Sequence, residues 1–487
     1  MTTHTSRREL SIGTALLPVL TMLVLFVAGV SFFDLTPELL IIVLLCSAAV
    51  AGAIAVRRGA TWDEIQRSAG EKIAGVLPAL LILLVIGMLI ATWVASGTIP
   101  FLVYWGVKLV EPRYLVLTAF LATAVMSSFT GTSWGSAGTI GVALMGTATA
   151  LEAPLPIVAG AVLSGAYFGD KMSPLSDSTI IASMAANVDL YKHIRHLLYT
   201  ALPSFAIALV VYTVALQSLP ASGDPLPASA TAILRDIDAA YSLGWAALLP
   251  PVVVVYCIVR KIPAAIAITL SSVTAAIVAV IVQNLSIQDV LTAAVAGFRL
   301  PMLESTGIDP SGVSDAFRTL VERGGLYSMA TTLVLVITAF VLTAGMDVSG
   351  SLNLLIERML GMVRSIFGLV AATMTAGATM IALTSHGGVT MLVIGALFQN
   401  AYRDRGLAPQ NLSRTLEDSI TITEPLMPWT VSAVFMATTL GVPTTQYAPW
   451  AVFCYGGPFF SLLIARLYRR TRFGLRELEA EPVAPVA

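Results

Sequence analysis

Gly169-Asp170-Lys171-Met172-Ser173-Pro174-Leu175-Ser176-Asp177-Ser178-Thr179 interrupts a hydrophobic run long enough to cross a bilayer. Glu417-Asp418-Ser419-Ile420-Thr421-Ile422-Thr423-Glu424-Pro425 interrupts a second. Charge at bilayer depth costs ~2.5–3.5 kcal/mol per residue on insertion scales, so ionisable groups there are functional candidates by default. Irregular backbone at that depth survives only where protein or a water-filled cavity covers it. The two breaks therefore predict an ion or substrate site in the middle of a transporter.

The rest of the chain agrees. Its 487 residues are 57% hydrophobic and 11% charged, with a mean hydropathy of +0.86. This is far from the balance of a soluble domain and predicts an all-α integral membrane protein. A formal net charge of -1 gives no reason to expect nucleic acid. Cys46, Cys257 and Cys454 lie in apolar runs without the pair spacing of a metal or redox motif, and read as free thiols. The apolar run from Ser11 to Phe33 exceeds a signal-peptide core of ~7–15 residues and reads as a first transmembrane helix.

A span of ~20 residues places helices at 12–33, 38–56, 76–97, 197–219, 243–259, 262–282, 326–345 and 447–466. Broken crossings fall at 155–187 and 410–442. Segments 113–150 and 366–402 are divided by Thr130-Gly131-Thr132-Ser133-Trp134-Gly135 and Thr384-Ser385-His386-Gly387-Gly388, and read as helical hairpins. A hairpin adds zero or two crossings, so charge distribution leaves open whether each re-enters or spans.

The order of elements repeats: two helices, an amphipathic segment, a helix, a hairpin, a broken helix and a last helix. Amphipathic spacing appears at Trp62, Ile65, Ala69 and Ile73, and again at Ile287, Leu291, Ala294 and Phe298. Aligning Thr132 with Thr384 and Pro174 with Pro425 pairs the halves. Five crossings per half is odd, which predicts two inverted repeats, an architecture of secondary transporters. The expected organisation is a first repeat over 1–219, an external proline-containing linker over 220–242, a second repeat over 243–470 and a cytoplasmic tail over 471–487. With the N-terminus inside, Arg57, Arg58, Lys192, Arg195, Arg260, Lys261, Arg403 and Arg405 fall on the cytoplasmic side, against Lys108, Arg113, Arg235, Arg299, Arg318 and Arg323 outside. Both termini are then cytoplasmic.

Carboxylates, hydroxyls and freed carbonyls are hard oxygen ligands suited to a hard cation such as Na⁺. Burial disfavours the charged form of an unpaired carboxyl, so a proton competes for the same group. Asp170 and Asp177, with Ser173 and Thr179, are the expected ion ligands of the first break, Asp170 and Asp177 being the candidate Na⁺ pair. Asp418, Thr421, Thr423 and Glu424 are their counterparts in the second. Arg414 and Glu417, spaced i and i+3, read as a local ion pair; Asp170 with Lys171 is the structural alternative in the first break. Thr132, Ser133, Ser385 and His386 place hydroxyls, helix N-termini and a titratable ring at the hairpin tips.

Two rivals from other classes are weaker. Gly131-Thr132-Ser133-Trp134-Gly135 fits G-x-S-x-G and His386 offers a base, as in an intramembrane serine hydrolase. That reading explains neither carboxylate cluster. A channel has no need of a sealed, carboxylate-bearing site at the midplane.

The run from Thr130 to Gly141, the stretch from Phe168 to Asp177, and Leu416-Glu417-Asp418-Ser419 with Pro425-Leu426-Met427-Pro428-Trp429 resemble the NhaC family of bacterial sodium/proton antiporters. The resemblance implies exchange of Na⁺ for H⁺ across the bacterial cytoplasmic membrane, with no cofactor. Small ions and the lipid bilayer are the implied partners, and a homo-oligomer is compatible with it. Two positions depart from the family: Ser178-Thr179-Ile180 stand where it usually has Thr-Thr-Asn, and Glu424 where it usually has Ser. The family also includes exchangers of organic acids such as malate and lactate, which is the second expectation, ahead of amino acids.

Overall fold

The computed structural model describes residues 10–33, 36–215, 226–307, 309–361 and 363–478, and is all-helical apart from one isolated bridge between Leu407 and Glu477. Among these residues seven helices are long and apolar enough to cross a membrane, or up to ten if each of three bent pairs is one span. The chain is thus an all-α, multi-pass membrane protein. All three cysteines are free thiols.

Most expected helices are present: Ile12–Phe32, Pro37–Arg57, Leu77–Ala95, Leu190–Ala215, Ala264–Ile281, Ala330–Val348 and Val452–Thr471. The helix expected at 197–219 starts earlier, because Lys192, His193 and His196 extend it beyond the apolar run. The helix expected at 447–466 is bent by 57° between Thr444–Trp450 and Val452–Thr471. Part of the expected 220–242 linker lies outside the described residues, but Ala228–Ala240 is a helix with Ile233 and Ile237 buried. The second amphipathic segment is a helix with two distinct faces. Val290 and Ala293 are buried in Ile287–Ala296, while Ile287 and Leu291 are exposed.

Two short helices escaped the hydropathy reading, Thr98–Leu109 and Ser351–Gly361. Each follows a glycine in the left-handed region, Gly97 (φ 78°) and Gly350 (φ 72°). Hydroxyls flank each glycine and bond to one another, Ser96 to Thr98 at 2.8 Å and Ser349 to Ser351 at 2.7 Å.

The hairpins are Leu115–Thr130 with Ser133–Ala150, and Ile366–Thr384 with Gly387–Arg403. Each returns to the end of the bundle it started from. The second closes where Arg405 Nη2 donates to the Val363 carbonyl at 3.1 Å. In the first, Thr147 on the returning arm packs on Gly106 of the helix that precedes the hairpin. Both hairpins expected from the sequence are therefore present.

Leu155–Met172 packs along Leu115–Thr130 through Gly165 and Gly169, where an added Cβ would lie 2.2 Å from the Phe120 carbonyl oxygen and 2.5 Å from that of Ala124. Small residues allow such close helix contact inside a membrane, where the hydrophobic effect no longer drives association. This tight layer carries the first hairpin tip to the first break: Gly131 lies against Leu175. At the second break, Ser385 Oγ donates to the Trp429 carbonyl at 3.5 Å.

Candidate functional site

The first break follows from local chemistry. Pro174 lacks an amide hydrogen and disfavours helical geometry at Ser173, whose ψ is 130°. Ser176 then caps Asp177–Ala185, its side chain accepting from the Thr179 amide at 3.5 Å. The Asp170 and Lys171 carbonyls left behind receive the Thr179 hydroxyl at 3.4 and 3.3 Å, and Ser173 donates its amide to Asp170 at 3.2 Å. Gly131, at φ 69°, ends the descending arm of the hairpin, and Thr132 caps the return, accepting from the Gly135 amide at 3.2 Å. Ser133, the first residue past that cap, donates its hydroxyl to Asp170 Oδ2 at 2.8 Å. Asp170 is 7% exposed.

Asp177 does not share this enclosure. It is exposed, in the first turn of the continuing segment, next to a half-exposed Leu175. The two aspartates stand at opposite ends of the unwound stretch, one enclosed and one open to the surroundings. A tightly closed pair is not what the structure places here.

The second break is a π-helix over Glu417–Thr421, a 3-10 turn over Glu424–Leu426, and a restart at Val431–Leu440 capped by Thr430. π-Helical turns recur at functional sites because they open the hydrogen-bond ladder. Thr430 donates to the Glu424 carbonyl at 2.5 Å. The Glu424 carboxylate lies against Gly387, the first residue of the returning hairpin arm, whose added Cβ would be 2.9 Å from Oε2. Carboxylates at helix N-termini meet exposed N–H groups and the positive end of the dipole. Asp170 beside Ser133 and Glu424 beside Gly387 are thus the same local arrangement.

That likeness extends over a long stretch at one offset of residue number (384 − 130 = 254). Thr130 and Ser136 share a 3.1 Å hydroxyl contact, and Ser136 donates to the Thr132 carbonyl at 2.9 Å. Thr384 and Thr390 share one of 2.6 Å, and Thr390 donates to the His386 carbonyl at 2.9 Å. Gly131 and Ser385 are both left-handed, Ser176 and Thr430 both cap, and Pro174 answers to Pro428. The alignment expected from sequence is therefore two residues out at the tips and three at the proline. Threonine- and serine-rich tips match in more than one register; the left-handed residue decides it.

The remaining expected residues take other roles. Asp418 is the centre of a buried network: it is ion-paired with Lys171 and accepts from Ser461 at 2.7 Å and Thr200 at 3.2 Å. Arg414 Nε is 4.0 Å from its other oxygen, so Arg414 faces Asp418 and not Glu417 as the spacing suggested. Both Glu417 oxygens and the Thr421 hydroxyl are buried without a hydrogen-bond partner. Thr423 donates to the Ser419 carbonyl at 2.6 Å and so serves its own helix. His386 caps the returning arm with its Nδ1 unpartnered, and Ser133, the only nucleophile the hydrolase reading offered, is bonded to Asp170. Lys171 pairs with Asp418 rather than with Asp170 or Glu424.

Sequence reading missed Tyr167, whose hydroxyl bonds Ser432, and missed Thr200 and Ser461. Tyr167 precedes Asp170 by one turn of helix, which is the signal that was available. Thr200 and Ser461 lie in ordinary apolar helices and gave none.

The family model described as Na+/H+ antiporter family matches residues 8–189 and 165–467. The chain belongs to this family. It is 42% identical over 98% of its length, and 99% of the relative's, to an uncharacterized Na(+)/H(+) antiporter of Haemophilus influenzae. It is 34% identical over 94% of its length, and 96% of the relative's, to the Na(+)/H(+) antiporter NhaC of Alkalihalophilus pseudofirmus. A malate-2H(+)/Na(+)-lactate antiporter of Bacillus subtilis is 30% identical over 86% of each chain. The protein is thus an NhaC-type antiporter and not an enzyme, and the hydrolase reading is withdrawn.

Proposed function

We propose that the protein exchanges Na⁺ for H⁺ across the bacterial inner membrane by alternating access, with Asp170 as the principal ion-binding carboxylate. The observation that carries this is the enclosed Asp170 carboxylate at a helix break, held by Ser133 from a hairpin tip. In this reading Na⁺ is bound by Asp170 with hydroxyl and carbonyl oxygens of the break, Ser133, Ser173 and Thr179 supplying the hydroxyls. Asp177 stands at the mouth, and Glu424 is the corresponding group of the second half. A proton and Na⁺ compete for one carboxylate, which is the minimum needed for exchange. Tyr167 and Ser432 bridge the halves between the two carboxylate positions.

We further infer that the chain is an inverted duplication with both termini cytoplasmic. The constant offset of matched hydroxyl pairs, left-handed tips and caps supports the duplication. Helix ends that this topology puts on one side bond each other: Lys72, just before Leu77–Ala95, has its Nζ 2.9 Å from Asp347 at the end of Ala330–Val348, whereas Gln283, just past Ala264–Ile281, reaches the carbonyl of Ser96, at the far end of Leu77–Ala95, at 3.0 Å.

Exchange of a small carboxylic acid is the second reading, supported by the relative named for malate and lactate. Reconstitution with an internal pH-sensitive dye separates them. Proton movement on addition of Na⁺ alone supports Na⁺/H⁺ exchange; movement only after malate, lactate or an amino acid is added supports the second reading.

A further inference from the structure

Away from the breaks, a cavity of about 890 Å³ opens on the outer face of the bundle between Leu190–Ala215, Val452–Thr471 and the segment that follows it. Its rim is cationic: Lys192, Arg195 and Arg476 line it, and no carboxylate does. Its floor is apolar, with Leu198, Leu202, Phe460, Leu463, Leu467 and Phe473 among the lining residues. Leu202 is 53% exposed and Phe473 58%, so the floor is continuous with the lipid-facing surface.

We propose that this cavity binds one anionic phospholipid, its phosphate against Lys192, Arg195 and Arg476 and its acyl chain along the apolar floor. Two features favour this occupant. The cations all sit at one end of the two helices, in the first turns of Leu190–Ala215 and just past the end of Val452–Thr471, where a headgroup would lie if both helices cross the bilayer. Basic pockets between transmembrane helices recognise anionic headgroups, and an apolar floor open to the acyl region suits a lipid better than a soluble anion.

The lipid would also hold a structural latch. Arg476 donates its amide to Asn411 Oδ1 at 3.0 Å and accepts from Asn411 Nδ2 at 2.7 Å, while the Gly474 carbonyl accepts from Arg414 Nη1 at 2.5 Å. The wall of the cavity is thus the same segment that closes over Arg414, beside Asp418.

The test is native mass spectrometry of the full-length, detergent-solubilised protein titrated with phosphatidylglycerol, phosphatidylcholine or inorganic phosphate, with thermal unfolding in parallel. One phosphatidylglycerol is expected to bind in preference to phosphatidylcholine and to raise the unfolding temperature. Lys192→Gln with Arg195→Gln should weaken binding by roughly fivefold per cation removed, while Lys192→Arg retains it. Both positions are exposed, so the substitutions spare the core. Equal binding of the two lipids would overturn the proposal, and so would full displacement by inorganic phosphate. Stronger lipid binding after truncation beyond Leu478 would assign the cavity to the chain's own tail and overturn it too. The lipid preference of the unmodified protein decides the matter even if a variant fails to fold.

Discussion

Lys171, in the last turn of the first broken helix, is ion-paired with Asp418, in the π-turn of the second, and both side chains are fully excluded from solvent. The two halves are joined by a charge pair next to the carboxylate proposed to bind the ion. A buried pair returns little net stability, but removing one partner strands the other charge.

Lys171→Met or Asp418→Asn alone should therefore destabilise the protein by ~3–5 kcal/mol. Combining Lys171→Met with Asp418→Asn should recover most of that loss. Thermal unfolding of the four proteins as a double-mutant cycle measures it; strictly additive losses would show that the pair does not couple the halves.

Asp170→Asn should abolish Na⁺-driven proton movement and leave assembly intact, since the amide oxygen still accepts from Ser133. Ser133→Ala should keep transport but raise the Na⁺ concentration for half-maximal rate by about tenfold or more, the worth of a hydrogen bond of ~1.5–3 kcal/mol to a charged group. Dye-based proteoliposome assays over a Na⁺ series read both. Unaltered kinetics in Asp170→Asn would remove the first break from the ion site.

Gly387→Ala should impair transport, because its Cβ would sit 2.9 Å from Glu424 Oε2 and push the carboxylate away from the helix N-terminus. In a Glu424→Ser background, which restores the residue usual in the NhaC family, the same alanine should be tolerated. Transport rates of the single and double variants settle it: an equal penalty in both backgrounds would mean that the Glu424 carboxylate does not occupy that position during turnover.

Inverted duplication predicts opposite sidedness for the two short helices that follow left-handed glycines. A cysteine replacing Lys108 should react with an impermeant maleimide only from outside, and one replacing Arg358 only from inside. Both positions are exposed. Ser222, the more obvious external site, lies outside the described residues. Labelling of both from one side would contradict the inversion.

Sequence by itself determined that this is a multi-pass helical membrane protein with two interrupted crossings and two hairpins. Hydrophobic run length, proline and buried charge are properties that local chemistry dictates. Asp170 and Ser133 were legible for the same reason: charge and hydroxyls in an apolar run demand a role. What local pattern could not decide was which charge meets which. Asp418 is as conspicuous in sequence as Asp170, yet it is consumed by Lys171, Thr200 and Ser461, three residues at least 43 positions away. The spacing of Arg414 and Glu417 permits an ion pair that the fold does not make, because Arg414 turns to Asp418 and to the Gly474 carbonyl. The register of the two halves was likewise settled by Gly131 and Ser385, whose left-handed backbone fixes the tips where threonines and serines alone match in several ways. Pairing between distant segments is a property of the packed bundle, where each buried charge must find whatever partner the crossing helices bring within reach.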